Sequence, residues 1–393
     1  MLSGESFVIS IKESPVNGID ISYLFEGLFA ITPGSLVMMA VGGLLIYLAI
    51  VKEYEPVLLL PIGIGCIIGN LPLSAMIDPA ENGMLVILRE AGVNNELFPL
   101  LIFIGVGVMM DFRPLLAQPL FALLGAAGQF GIFGTLLLAL AIGFPLNEAA
   151  SIGIIGAIDG PTSIYVANKL APHMLGVISV VAYSYMSLVP IIQPPIMRAL
   201  TTRKERMTHM DYAPRPVSKT ALVVFPIIVT IAVGILVPQA APLVASLMLG
   251  NLLKESGVVE RLARASENEI INVSTLFLGL VVGSTMTAAS FLQVETLWVL
   301  LLGLFAFGLD TAAGILFGKL LYIVSGQKIN PLIGAAGISA FPMAGRVVQK
   351  VAQEEDFSNF VLMHAMGANT SGQLGSVIAG GVLLTLVLPM LGM

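Results

Sequence analysis

Residues 156–165 read GAIDGPTSIY, and from Ala149 to Ala167 the only charge is the carboxylate of Asp159. An acid at the centre of an apolar span costs about 2.5–3.5 kcal/mol on insertion scales, and more if it stays ionised without a partner. Gly160 and Pro161 follow at once, where a helix should run unbroken, and they free carbonyls that lipid cannot satisfy. Such a break is tolerated where it lines a protein cavity. A carboxylate beside loose carbonyls and the Thr162 hydroxyl is a ligand set for a hard cation. One carboxylate among neutral oxygens suits Na+, since a divalent ion recruits more negative ligands. The structural alternative is that Asp159 caps the helix starting at Pro161, which D-G-P-T also fits. The two roles are compatible.

The 393 residues are 57% hydrophobic and 11% charged, with a mean hydropathy of +0.96. That excludes a soluble domain and marks an all-α, polytopic protein of the lipid bilayer. A span needs roughly 20 apolar residues, and the chain offers about ten to eleven such runs. Several carry internal Gly or Pro, as broken helices or re-entrant hairpins would. The start, MLSGESFVISIKES, lacks the pattern of a removable signal. The lone Cys66 lies in an apolar run, which reads as an inert thiol. His173, His209 and His364 share no metal-ligand spacing, and no nucleotide-binding or serine-nucleophile motif is present, so soluble-enzyme chemistry is unsupported. Nucleic acid is not an expected partner.

Arg198, Arg203, Lys204, Arg206, Arg215 and Lys219 crowd one loop against Glu205 and Asp211. The positive-inside bias puts that loop in the cytoplasm. It also divides the chain into halves that can be compared. A shift of 181 residues aligns PTSIYVANKLA (161–171) with PMAGRVVQKVA (342–352), with identities at Pro161, Val166, Lys169 and Ala171. Each proline follows a small-residue run, and each next helix carries an apparent interruption, VPIIQPP at 189–195 and GANTSGQLG at 367–375. Paired broken helices at matching positions point to a transport site near the bilayer midplane, built from two repeats that we expect to be inverted. The expected organisation is an N-terminal segment (1–30), first scaffold helices (31–143), a first core repeat (144–198) and the basic cytoplasmic loop (199–220). Second scaffold helices (221–325) and a second core repeat (326–393) complete it.

Other polar residues sit in apolar context. Asn369, Thr370, Ser371 and Gln373 offer neutral oxygens at the second interruption. Tyr183 and Tyr185 lie on the helix after the first break, where a phenol donates a proton or anchors at the interface. Asn330, Gly334 and Ser339 lead into Pro342. Arg346, preceded by seventeen uncharged residues, is placed either to bind a carboxylate bidentately or to snorkel to a head group. Asp310 is a further acid in an apolar run, read as structural with a catalytic role as the alternative.

Four stretches carry a specific resemblance: GAIDGPTSIYVANKLAP, VAYSYMSLVPIIQPPIM, INPLIGAAGISAFPMAGRVVQKV and NFVLMHAMGANTSGQLGSVIA, with DFRPLLAQP at 111–119. They resemble the beta subunit of the sodium-pumping biotin-dependent decarboxylases, which serve oxaloacetate, methylmalonyl-CoA, glutaconyl-CoA and malonate. The resemblance implies a membrane subunit that takes carboxybiotin from a partner, releases CO2, consumes a proton and moves Na+ outward. It places the functional acid on Asp159, the tyrosine on Tyr185, and polar site positions on Asn330, Gly334, Ser339, Arg346 and Asn369. The expected catalytic set is Asp159, Tyr185 and Arg346, with Arg346 also holding carboxybiotin. The expected Na+ ligands are Asp159, Thr162, Asn330, Ser339 and Asn369. No MKM biotin-attachment site is present, so the biotin belongs to a carrier subunit. A carboxyltransferase, a small membrane anchor subunit, a homo-oligomeric (trimeric) core and a cytoplasmic (inner) membrane location are implied with it. The competing expectation is a stand-alone Na+-coupled carboxylate transporter.

Overall fold

The computed structural model describes residues 25–210 and 216–392. Arg215, Asp211 and most of the N-terminal segment (1–24) lie outside the described residues. Among those described, every regular element is a helix. The first half contributes α1 (Pro33–Val51), α2 (Pro56–Gly69), α3 (Leu97–Met109), α4 (Phe121–Ala127), α5 (Phe130–Ile142), α6 (Leu146–Gly153), α7 (Gly160–Leu170) and α8 (Leu175–Leu200). The second contributes α9 (Lys219–Leu236), α10 (Ala241–Ser256), α11 (Ile271–Ser284), α12 (Val294–Val324), α13 (Met343–Glu355) and α14 (Leu362–Met390).

Among the described residues, six helices are long and apolar enough to cross a membrane, or seven with one pair bent by 60° counted as a span. The expected ten to eleven counted apolar runs. Several of those runs fold as shorter helices: α2 and α11 have 14 residues each, or ~21 Å at 1.5 Å per residue. The composition requires an apolar exterior, and α9 shows one: only Leu222 and Pro226 are buried on it, while Ile227, Ile228, Ile231 and Ile235 are exposed.

Scaffold helices from the two halves pair closely through small residues, as membrane helices do when backbone approach replaces the hydrophobic drive. A Cβ on Gly65 of α2 would strike the Leu280 carbonyl of α11, and one on Gly250 of α10 would strike the Ile104 carbonyl of α3.

The core is two broken segments, each followed by a long helix. In the first, α6 tightens into a 3-10 turn, Ile154–Ala157, and Ile158 then adopts a left-handed backbone at φ 54°. For a β-branched residue this is a strained conformation, held only by its surroundings. Asp159 is extended (φ −135°, ψ 102°) and caps α7, with Pro161 in the first turn where its missing N–H is not needed. In the second, Pro331–Gly337 forms a 3-10 helix, Ile338 is extended, and α13 starts at Met343 after Pro342.

The two repeats are inverted in the structure. The loop leaving the C-terminal end of α8 touches the residues that precede α14: Arg206 pairs with Glu355 at 2.7 Å, and Asn359 Nδ2 donates to the Arg206 carbonyl at 3.0 Å. One long helix therefore ends where the other begins. The short helices obey the same relation. α13 ends beside the basic loop, whereas α7 ends at the opposite face, where Lys169 pairs with Glu96 at 2.8 Å.

The interruptions expected at 189–195 and 367–375 are absent. Helix α8 runs through Pro190, Pro194 and Pro195, and α14 runs unbroken for 29 residues through GANTSGQLG. Neighbouring helices supply the groups that a proline or small residue leaves wanting. Each break lies one element earlier, at 158–159 and at 338–342.

Candidate functional site

The two breaks touch. The Ser339 amide donates to the Ala157 carbonyl at 3.2 Å, which joins the extended residues of one break to the 3-10 turn of the other. A carbonyl released at one break thus meets an amide of the other rather than lipid. Gln129, in the bend between α4 and α5, reinforces the crossing by donating from Nε2 to the carbonyls of Gly125, Gly337 and Gly372.

Asp159 is 5% exposed and sits at this crossing. Its Oδ2 accepts from the Thr162 hydroxyl, from Gln373 Nε2 at 2.8 Å and from Ser376 Oγ at 3.5 Å. Its Oδ1 receives only the Thr162 amide, at 3.5 Å. One carboxylate oxygen is therefore well supplied, and the other keeps lone pairs available for a cation.

Asn369, Gln373 and Ser376 occupy positions i, i+4 and i+7 of α14, which puts them on one face. Asn369 donates from Nδ2 to the Ile338 carbonyl at 2.7 Å, and its Oδ1 is buried with no hydrogen-bond partner. Ser339 is also at the crossing, its hydroxyl donating to the Gly372 carbonyl at 3.1 Å. The structure thus brings together Asp159, Thr162, Ser339 and Asn369. Thr370 and Ser371 turn elsewhere, to the carbonyls of Asp111 and Ala122.

Asn330 is not at the crossing. It caps the 3-10 helix by accepting from the Leu332 amide at 3.0 Å, and its Nδ2 donates to the carbonyls of Arg206 and Thr208, each at 2.9 Å. Its amide is committed to holding the basic loop. Gly334 has a packing reason: a Cβ there would strike the Gly314 carbonyl of α12, and one on Gly314 would strike the Gly334 carbonyl. Arg346 is exposed in the first turn of α13, which leads from the crossing to the basic-loop face.

Tyr183 and Tyr185 lie two positions apart on α8 and so face nearly opposite ways. Tyr185 lies against α12, its hydroxyl donating to the Leu300 carbonyl. Tyr183 lies against the start of α7. Asp310 is fully buried, and its Oδ1 caps α5 from across the interface by accepting from the Gly131 amide. That is the structural role read for it, since free amides at a helix start favour a carboxylate.

The residues that sequence reasoning passed over are Ser376, Gln129 and Gln193. Gln193 Nε2 donates to the Ala335 carbonyl at 2.8 Å, so each long helix sends a glutamine to the other repeat's broken segment. The i, i+4, i+7 spacing of Asn369, Gln373 and Ser376 was the available signal.

A buried carboxylate ringed by neutral donors where two inverted, broken segments cross agrees with what the chain resembles. Methylmalonyl-CoA decarboxylase subunit beta of Veillonella parvula is 50% identical over 383 residues, covering 98% of this chain and 99% of that one. Glutaconyl-CoA decarboxylase subunit beta of Acidaminococcus fermentans is 51% identical over 363 residues, 92% of this chain and 96% of that one. Oxaloacetate decarboxylase beta chain 2 of Salmonella typhi is 47% identical, covering 93% and 98%. The profile of the Na+-transporting oxaloacetate decarboxylase beta subunit matches residues 34–387. With the profile spanning the whole described core and the relatives matching nearly end to end, this chain belongs to the Na+-transporting decarboxylase beta-subunit family.

Proposed function

We propose that this chain decarboxylates carboxybiotin brought by a carrier subunit and couples that step to outward movement of Na+. The observation that carries the reading is the crossing itself. Asp159 keeps a lightly bonded Oδ1 there, and Asn369, one turn of α14 before the Gln373 that bonds Asp159, keeps an unpartnered Oδ1. One carboxylate and several neutral oxygens match the charge of a monovalent hard cation. Thr162 and Gln373 fix the carboxylate, and Ser339 holds the second break in register.

Na+ and a proton compete for Asp159, so protonation releases the ion and its departure readies the acid for the next. The inverted repeats supply the two exits by rocking against the scaffold. Arg346, exposed between the crossing and the basic-loop face, captures the carboxylate of carboxybiotin. Transfer of that group into a drier setting favours loss of CO2. The proton is relayed by Tyr185, the tyrosine that the resemblance singles out and which lies at the α8–α12 interface, or by Asp159.

By charge bias we take the basic-loop face as cytoplasmic, the inner membrane as the location, and that face as the side where the biotin carrier and carboxyltransferase dock. A small anchor subunit and a trimeric core complete the assembly. A stand-alone carboxylate transporter is disfavoured by these relatives, which are named as decarboxylase subunits.

The test is reconstitution of the full complex in vesicles with the natural Asp159 or with Asp159→Asn. Substrate-driven 22Na+ uptake by the natural complex and none by the variant is expected. Na+ uptake that proceeds without any decarboxylation substrate would overturn the coupling.

A further inference from the structure

Tyr183 is a large side chain against the start of α7 that the resemblance leaves unused. It is 2% exposed, and its hydroxyl is buried with no hydrogen-bond partner. A Cβ on Gly160 would overlap the Tyr183 ring at Cε1 and Cζ, the carbon bearing the hydroxyl. The phenol therefore stands directly against the residue that follows Asp159.

A buried hydroxyl left without a partner costs about 1–3 kcal/mol, and native proteins keep few such groups. Packing alone does not require the oxygen, because phenylalanine would fill the same volume against Gly160 without the penalty. An oxygen with free lone pairs, beside the crossing of two broken helices, is suited to a cation. Tyr185 does not share this property, since its hydroxyl is spent on the Leu300 carbonyl.

We propose that the Tyr183 hydroxyl oxygen is a neutral ligand of the Na+ held by Asp159, drawn from α8 as Asn369 is drawn from α14. This deepens the reading above and rests on it. The ion then joins three elements, the α7 start, α8 and α14, so its occupancy fixes how the two long helices sit relative to the first break. Gly160 is glycine because any side chain there would push the phenol out of place.

The experiment uses the full chain purified in detergent, with NaCl replaced by choline chloride at constant ionic strength. Thermal unfolding and 22Na+ binding are compared for the natural chain, Tyr183→Phe, Asp159→Asn, and Tyr47→Phe on the outer face of α1 as a control for phenol loss. Tyr183→Phe is expected to bind Na+ about tenfold more weakly, the equivalent of one neutral ligand. Its melting temperature without Na+ should equal or exceed that of the natural chain, because an unsatisfied hydroxyl has been removed. Unchanged Na+ affinity overturns the proposal, and so does a lower Na+-free melting temperature or failure to fold, either of which would mean that the hydroxyl has a partner within the protein. Asp159→Asn separates the two levels. If it binds Na+ normally, the site reading fails; if it loses binding while Tyr183→Phe does not, only the ligand role of Tyr183 fails.

Discussion

The two breaks share a plan and differ in charge. Each is a 3-10 turn running into extended residues and then a short helix, and each receives a glutamine from the long helix of the other repeat. Gln373 reaches Asp159 at 2.8 Å, and Gln193 reaches the Ala335 carbonyl at 2.8 Å. The first break holds an acid. The second holds only backbone and neutral side chains, and it is tied outward to the basic loop through Asn330 and Asn359, which both donate to the Arg206 carbonyl. Related architecture is therefore proposed to do two jobs: the first break to bind the ion, and the second to position it and to connect to the face where partners would arrive. Had both breaks carried an acid, two like charges would share one low-dielectric site, which disfavours ionisation of either.

That division can be broken most forcefully at Asp159. Asp159→Asn removes the carboxylate that Thr162 and Gln373 hold at the crossing and should weaken Na+ binding by roughly a hundredfold or more, in line with loss of one partner of a buried charge pair. Binding of 22Na+ to the purified chain reads it, and affinity within a few-fold of natural would erase the distinction between the breaks. Asn330→Ala should behave in the opposite way. It removes three hydrogen bonds of about 1 kcal/mol each, so unfolding stability falls by about 2–3 kcal/mol while Na+ affinity holds. A change in affinity without one in stability would move Asn330 into the ion site.

The exchanged glutamines sharpen the comparison at smaller scale. Gln373→Ala frees Asp159 Oδ2 of its 2.8 Å donor and should shift half-saturating Na+ several-fold, about 1 kcal/mol. Gln193→Ala leaves the Ala335 carbonyl unpaired and should lower stability by about 1–3 kcal/mol, with Na+ affinity unmoved. Equal effects of the two on Na+ affinity would mean that both breaks bind.

The smallest effect belongs to the outer end of the second repeat. Asp356 accepts from Ser358 and pairs with His209 at 2.8 Å, and these hydrogen bonds hold its carboxyl down at about 2. A depressed carboxyl contributes stability above its ordinary value of 3.8, and that contribution disappears as pH falls through about 2. Thermal unfolding of the natural chain between pH 4.5 and 2 should therefore decline slightly more steeply than that of Asp356→Asn. Because the group is exposed and screened, the difference should be small. Parallel curves would show that the clamp does not depend on this pair.

Much of this was legible in the residues. Composition gave the membrane and the all-α class, since apolar surface on that scale has no other solvent. The cost of a lone acid in an apolar run marked Asp159, and D-G-P-T marked both the break and its cap. The 181-residue shift exposed the repeat, and the quoted motifs identified the family. Proline and glycine misled at 189–195 and 367–375, because a helix enclosed by other helices keeps its course where an isolated one would not.

What the sequence determined by itself is therefore local and compositional: solvent, helix starts, and which side chain is too expensive to bury without a purpose. The tertiary structure decided which polar groups share a site. It paired Asp159 with Gln373 across 214 positions of chain, turned Tyr183 inward and Tyr185 away, and sent Asn330 to the loop. Hydrogen bonds that join distant segments leave no periodicity in either one, so only folding the chain reveals which oxygens converge.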